Sequence, residues 1–241
     1  MLANLRLKKK LLILSLVPIF LLGLIVSAIS VVSLRSLADS QEMRTREVLV
    51  EKYREEIKQH VTLALKTIET NYQNSQQGDI TARSAAVSQL KQLNYGADSY
   101  FWGYDTQWLR VFQGNNEENL GKSFQDFKDP NGVYAIRELV RAAQDGSHYV
   151  NYSFTLPGKN TTVPKIGYAE YLPKWDLVIG TSVNLNDIEL LVSAERAQFD
   201  LKITKLVKII IGSTIGLLLL TIIIASTISN AILKPLLLLN S

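Results

Sequence analysis

Residues 99–113 read Ser99-Tyr100-Phe101-Trp102-Gly103-Tyr104-Asp105-Thr106-Gln107-Trp108-Leu109-Arg110-Val111-Phe112-Gln113. Aromatic and β-branched residues bounded by turn formers favour strands. Two such runs here flank Asp105-Thr106-Gln107, a loop of hairpin length. The expected strands are Ser99–Tyr104 and Trp108–Gln113. Alternation puts Tyr100, Trp102 and Tyr104 on one face, and Trp108, Arg110 and Phe112 on one face of the neighbouring strand. An arginine flanked by aromatic side chains on a short hairpin strand is a candidate carboxylate fork.

The surrounding sequence has the same character. Of 20 aromatic residues in the chain, 16 lie between Tyr95 and Trp175, among many of the glycines and prolines. Further strands are expected at His148–Phe154, Lys165–Tyr171 and Trp175–Val183. The first two of these flank a loop with Pro157-Gly158-Lys159-Asn160, and the last two flank Pro173-Lys174. Asp129-Pro130-Asn131-Gly132 precedes a helix that runs to about Asp145-Gly146. Strands joined mostly by hairpins favour an antiparallel five-stranded sheet with helices packed on it, an α+β fold.

Upstream, Leu24 to Gln77 contains neither glycine nor proline. That predicts one long helix with a stripe at Leu49, Tyr53, Ile57, Val61, Ala64 or Leu65, Ile68 and Tyr72. The stripe could pack on a domain core, on a partner helix, or on both. Gly78 and Asp79 stop this helix, and Thr81–Leu93 reads as a shorter one. After Gly180 no glycine or proline appears until Gly212. Asn186, with Glu189 three residues on, is a candidate N-cap for a last helix carrying Ile188, Val192, Phe199, Ile203 and Leu206 on about one face.

Two runs carry no charge: Leu11–Leu34 and Ile209–Leu233. The first is roughly 36 Å long as a helix, enough to cross a hydrocarbon core of about 30 Å. It is longer than a signal-peptide core and is read as an uncleaved anchor. Arg6, Lys8, Lys9 and Lys10 precede it and Lys234 follows the second run, while all 22 acidic residues lie between the two. Positive flanks stay in the cytoplasm. The expected layout is a cytoplasmic N-terminus at 1–10, spans at 11–34 and 209–233, an extracytoplasmic domain at 35–208, and a cytoplasmic stretch at 234–241. The net charge of +4 is therefore a topological fringe and gives no reason to expect a nucleic-acid partner.

Composition narrows the chemistry. At 47% hydrophobic and 20% charged, the chain is not disordered. Without cysteine it has no disulfide framework, thiolate metal site or cysteine nucleophile. His60 and His148 are too far apart in sequence to suggest a metal site. Asp126 and Asp129 read as loop and helix-start residues. Gly121-Lys122-Ser123 is not a phosphate loop, because Asn116 stands where that motif needs glycine. Asn151-Tyr152-Ser153 and Asn160-Thr161-Thr162 match a glycosylation pattern that is common by chance. No nucleophile–base pair appears, so neither an enzyme nor a cofactor is expected.

An ordered set of short motifs carries a resemblance. It comprises Tyr100-Phe101-Trp102-Gly103-Tyr104-Asp105, Gly121-Lys122, Lys128-Asp129-Pro130-Asn131-Gly132, Tyr152, Pro157-Gly158, Lys165, Tyr168, Trp175-Asp176-Leu177-Val178-Ile179-Gly180-Thr181 and Asp187-Ile188. Over roughly 50–190 this resembles the type 2 single Cache domain of bacterial chemoreceptors and sensor kinases. The resemblance implies a PAS-like sheet in the periplasm of an inner-membrane, methyl-accepting chemotaxis receptor, working as a homodimer. The implied ligand is a short-chain carboxylate such as acetate, propionate, pyruvate or lactate. Candidate ligand-binding residues are Tyr100, Trp102, Tyr104, Arg110 and Phe112, with Tyr152, Lys165 and Tyr168 added by family position. Tyr168 is three residues from Lys165, so on a regular strand only one of the two faces the pocket.

Ile232-Leu233-Lys234-Pro235-Leu236 resembles the start of a HAMP linker, which implies a relay to cytoplasmic signalling partners beyond residue 241. One departure stands out: the family often has His-Pro eight residues before the Gly-Lys pair, and here Gln113-Gly114 is found. Alternatives left open are the input half of a histidine kinase or cyclase, and a non-sensing dimeric membrane anchor.

Overall fold

The computed structural model describes residues 7–96, 99–114, 116–155 and 162–238. The expected loop at Pro157-Gly158-Lys159-Asn160, the second glycosylation pattern, Arg6 and the last three residues lie outside them. The chain divides into two units, Met1–Arg44 with Ser193–Ser241, and Thr45–Val192. The elements in order are α1 (Leu7–Asn74), α2 (Ile80–Gln92), β1 (Asn94–Gly96), β2 (Ser99–Tyr100), β3 (Trp102–Tyr104), β4 (Arg110–Gln113), α3 (Ala135–Asp145), β5 (Tyr149–Thr155), β6 (Thr162–Leu172), β7 (Leu177–Asn184) and α4 (Asn186–Leu238).

In the unit Thr45–Val192, β4-β3-β7-β6-β5 form one sheet, antiparallel at every pairing. The apolar stripe of α1 covers one face. Ile57, Val61, Ala64 and Ile68 bury there with Ala86 and Leu90 of α2 and with Phe112, Ile166, Tyr168, Leu177 and Ile179 of the sheet. That packing accounts for the stripe within a single chain, so the stripe carries no argument for a partner helix. Helix α3 covers the other face through Ile136, Leu139, Val140 and Ala143, against Trp102, Tyr104, Ala169 and Val178.

Several boundaries differ from the expected ones, each for a local reason. Helix α1 stops at Asn74, ahead of Gly78, because the Lys174 ammonium takes its terminal carbonyls: Tyr72 at 3.1 Å, Gln73 at 3.0 Å and, just beyond, Ser75 at 3.1 Å. Cations at a helix C-terminus satisfy orphan acceptors and complement the dipole. Asp79 caps α2 instead, accepting the Ala82 N–H at 2.9 Å. Asn186 is the first helical residue of α4 and not its cap; the Leu185 carbonyl takes the Glu189 N–H.

The expected strand 99–104 breaks at Phe101. Its first half pairs with β1 in a separate two-stranded sheet, and its second half joins the main sheet. The expected strand 108–113 begins two residues late. Trp108 sits at φ 61°, and the Asp105 carboxylate accepts the N–H groups of Gln107 and Leu109. The pairing then slips: Tyr104 faces Arg110, but Gly103 faces Phe112. Val111 is thus the extra residue of a β-bulge. A bulge reverses the alternation beyond it, so Arg110 and Phe112 point to opposite faces. Gly103 completes the arrangement, because the Phe112 ring lies where a Cβ would be.

In the unit of the chain ends, α1 and α4 each contain a segment long and apolar enough to cross a membrane. Gly23 lies against Thr214, whose methyl occupies the place of a Cβ. Arg196 binds Asp39 and Glu42.

Candidate functional site

The face of the sheet under α3 is built low in its middle. Gly167, Ala169, Gly180 and Ser182 alternate outward from β6 and β7 toward α3, whereas large side chains stand on the flanking strands. A Cβ at Gly180 would meet the Trp102 ring, and one at Gly167 would lie 2.8 Å from Leu139 and 3.2 Å from Tyr152. Small residues over the central strands and aromatic residues at their edges leave a hollow.

That hollow is a cavity of about 40 Å³. A water-sized group needs ~10–15 Å³ of such space, so the cavity holds about three or four. Tyr100, Trp102, Tyr104, Arg110, Gln113, Tyr152 and Lys165 line it, with Phe124, Phe127, Ile136, Leu139, Phe154 and Ser182. A wider cleft of about 370 Å³ shares Arg110, Gln113, Phe124, Phe127 and Phe154 with it and is also lined by Asn116, Glu118 and Lys128.

Two cations reach this space. The Arg110 guanidinium is buried, lies 3.9 Å from the Phe124 ring centre, and donates through Nε and Nη2 to Tyr104 Oη at 3.3 and 3.1 Å. The Lys165 ammonium is 5.3 Å from the Phe154 ring centre. Among the described residues neither has an acidic partner. Burying a charge without a counter-charge is costly. The pair therefore holds free energy that a small anion would release.

Hydroxyl donors complete the lining. Gln113 Nε2 donates to Tyr100 Oη at 3.0 Å, and Tyr104 Oη accepts from Arg110. Both phenols keep their own protons to donate. Burial pushes the Tyr104 phenol up, more strongly than the Arg110 charge pulls it down. Burial likewise raises Tyr152, more strongly than the nearby Ser182 hydroxyl lowers it. The Tyr104 and Tyr152 phenols therefore stay protonated across the physiological range and act as neutral donors.

Lys165 is shifted in the opposite sense, because desolvation lowers its pKa from 10.5. A bound anion would favour the ammonium, so anion affinity is expected to fall as pH rises through the alkaline range below 10.5. The sign for stability is reversed. Between the folded and unfolded pKa values the unfolded chain binds more protons, so the unliganded protein gains stability with rising pH there. Lys165→Met is expected to flatten both dependences. Titration calorimetry and thermal melts at three or more pH values check this, and unchanged slopes in the variant would refute the assignment.

Six of the eight expected residues meet at the cavity: Tyr100, Trp102, Tyr104, Arg110, Tyr152 and Lys165. Phe112 and Tyr168 do not. The bulge at Val111 turns Phe112 to the α1 side, where it is fully buried. Regular alternation from Lys165 puts Tyr168 there too, beside Tyr149 and bonded to Glu170. Phe154 was within reach of sequence reasoning, being two residues beyond Tyr152 on one strand. Ile136 and Leu139, one helical turn apart, signalled only a packing face. Phe124 and Phe127 lie in a loop with no periodicity to expose them.

The family model for single Cache domain 2 matches residues 49–197. The chain belongs to that family. It is 41% identical to the methyl-accepting chemotaxis protein CtpM of Pseudomonas aeruginosa over 234 residues, covering 97% of this chain and 42% of that protein. It is 31% identical to the sensor histidine kinase MctS of Rhizobium johnstonii over 133 residues, 55% of this chain and 29% of that one. The chain thus spans less than half the length of these curated relatives. Among solved structures, it resembles a Cache chemosensory domain studied for carboxylic acid recognition, at 26% identity and a TM-score of 0.51, covering 58% of this chain and 97% of that one. The α+β fold with an antiparallel five-stranded sheet and a long N-terminal helix is the one expected from the sequence.

Proposed function

We propose that this chain is the sensory part of a transmembrane chemoreceptor whose periplasmic Cache domain binds a short-chain carboxylate, with both termini in the cytoplasm. The observation that carries this reading is the pair of buried cations, Arg110 and Lys165, in a small cavity without an acidic partner among the described residues. A carboxylate supplies the missing charge and acceptors for the guanidinium, the ammonium and the two phenols. The apolar wall of Phe124, Phe127, Ile136 and Leu139 takes a short alkyl end. The cavity volume suits an acid the size of acetate, and a three-carbon acid would extend into the wider cleft that shares Arg110 and Gln113 with it. The role in this reading is recognition: the described lining offers donors, charge and an apolar wall.

Signalling needs the ligand to bind two conformations with different affinity. Strand β7 carries Ser182 at the cavity and leads through Leu185 into α4. A shift of β7 on binding is the route by which α4 would pass the signal inward, toward a HAMP-like relay and cytoplasmic partners.

Calorimetry on the 241-residue chain in nanodiscs, with acetate, propionate, pyruvate and lactate, tests the ligand class. At least one acid should give saturable heat and raise the melting temperature; a ligand at 100 times its Kd stabilises by about 2.7 kcal/mol. A folded chain indifferent to all four rejects the class. The similarity to MctS favours a second output, a histidine kinase, with the same sensory mechanism. Autophosphorylation from ATP by the protein isolated from its native cell would favour the kinase output, and its absence the chemoreceptor.

A further inference from the structure

The cavity holds one polar atom that a simple carboxylate cannot satisfy. Gln113 donates through Nε2 to Tyr100 Oη, and its carbonyl oxygen, Oε1, is buried with no hydrogen-bond partner among the described residues. Of the other side-chain polar groups that line the cavity, the Arg110 guanidinium and the Lys165 ammonium only donate, and the phenols of Tyr100, Tyr104 and Tyr152 and the Ser182 hydroxyl each carry a proton to donate. A carboxylate brings only acceptors. It matches those donors and leaves Oε1 as it was, or faces it with like partial charge. An orphaned buried acceptor costs about 1–3 kcal/mol. A ligand with its own O–H removes that cost while its carboxylate occupies the cations.

We infer that Gln113 is a specificity residue that selects short carboxylates bearing a hydroxyl over the same acids without one. This rests on the reading of the cavity as a carboxylate site. The placement fits. Gln113 lies on both the inner cavity and the wider cleft, so a carboxylate held inside by Arg110 and Lys165 can turn a neighbouring hydroxyl toward it. Gly114, at φ 47° with the Tyr100 Cβ 3.1 Å from where its own would be, lets β4 end there and keeps the amide against Tyr100. A pocket built to bond a hydroxyl rejects the analogue that lacks it far more strongly than an apolar pocket rejects a missing methylene.

The test is a titration of the nanodisc-embedded chain with three acids of equal carbon count: lactate, propionate and pyruvate. Lactate is expected to bind at least about tenfold tighter than propionate, the equivalent of one orphaned acceptor relieved. Gln113→Met, close in length but without the amide, should bring the lactate-to-propionate ratio near one, weakening lactate more than propionate. Its unliganded melting temperature reports whether the fold is kept, and the wild-type ratio needs no variant at all. Equal affinity for lactate and propionate overturns the inference and leaves the carboxylate site standing. So does a preference for pyruvate, which would mean that the amide presents its NH₂ group instead. A ratio retained in Gln113→Met also overturns it. Binding of none of the three removes the carboxylate reading and this inference with it.

Discussion

Arg110→Met is expected to weaken carboxylate binding at least about thirtyfold, because truncating one partner of a buried, hydrogen-bonded charge pair costs about 2–5 kcal/mol. The same substitution should raise the melting temperature of the unliganded protein. Without a ligand the guanidinium is a buried charge whose partners among the described residues are one phenol and the faces of Phe124 and Tyr104. A methionine of similar length fills that space without the desolvation cost. Opposite signs for affinity and stability mark a residue held for a ligand. A merely structural arginine would lose stability on truncation and leave affinity intact. Arg110→Lys separates charge from shape: it keeps the cation but loses the planar fork, so its affinity should fall between the other two. Calorimetry and thermal melts on the three proteins give both readouts. Wild-type affinity in Arg110→Met would refute the role of this residue.

The residues that made the sheet legible are those whose spacing obeys one rule over several positions. Trp102 and Tyr104 alternate as written, as do Lys165, Gly167 and Ala169 against Ile166 and Tyr168. The α1 stripe from Ile57 to Ile68 keeps helical spacing and buries as that spacing requires. What the sequence hid were events that break a rule once. The bulge at Val111 changes which residues share a face with Arg110, yet Arg-Val-Phe-Gln has no glycine or proline to announce it. The break at Phe101 came from tertiary competition: Phe101 buries on the α1 side with Tyr95 beside it, and the strand divides around it. Phe124 and Phe127 come to the cavity through a loop whose path depends on long-range bonds, such as Arg110 N–H to the Lys122 carbonyl. Gln113 was visible only as a departure from the family's usual His-Pro pair. Its orphaned oxygen became apparent once Tyr100 was seen to occupy its other end.

Asp129→Ala is expected to cost about 3 kcal/mol of stability, large for a residue in a loop. Asp129 looks in sequence like an ordinary turn starter before Pro130-Asn131-Gly132, and in part it is one. Its Oδ1 accepts the N–H groups of Asn131 at 2.9 Å and Val133 at 2.7 Å. Its Oδ2 goes further and accepts the Ser153 N–H of β5 at 2.8 Å, while Asn131 Nδ2 donates to Ser153 Oγ. The carboxylate is 4% exposed. Truncation leaves three N–H groups without their acceptor, and each buried orphan costs about 1–3 kcal/mol before relaxation and water recover part of it. A solvated turn residue would cost no more than about 0.5 kcal/mol, so urea unfolding distinguishes the two cases. Asp129→Asn should lose roughly half as much: its single carbonyl can keep the Asn131 and Val133 bonds, but its NH₂ then faces the Ser153 N–H. Ser153 sits between Tyr152 and Phe154, both in the cavity wall. Carboxylate affinity should therefore weaken along with stability in Asp129→Ala, although Asp129 does not line the cavity. If affinity stays at the wild-type value in a destabilised Asp129→Ala protein, the clasp holds the fold alone and β5 is positioned for binding by its pairing with β6.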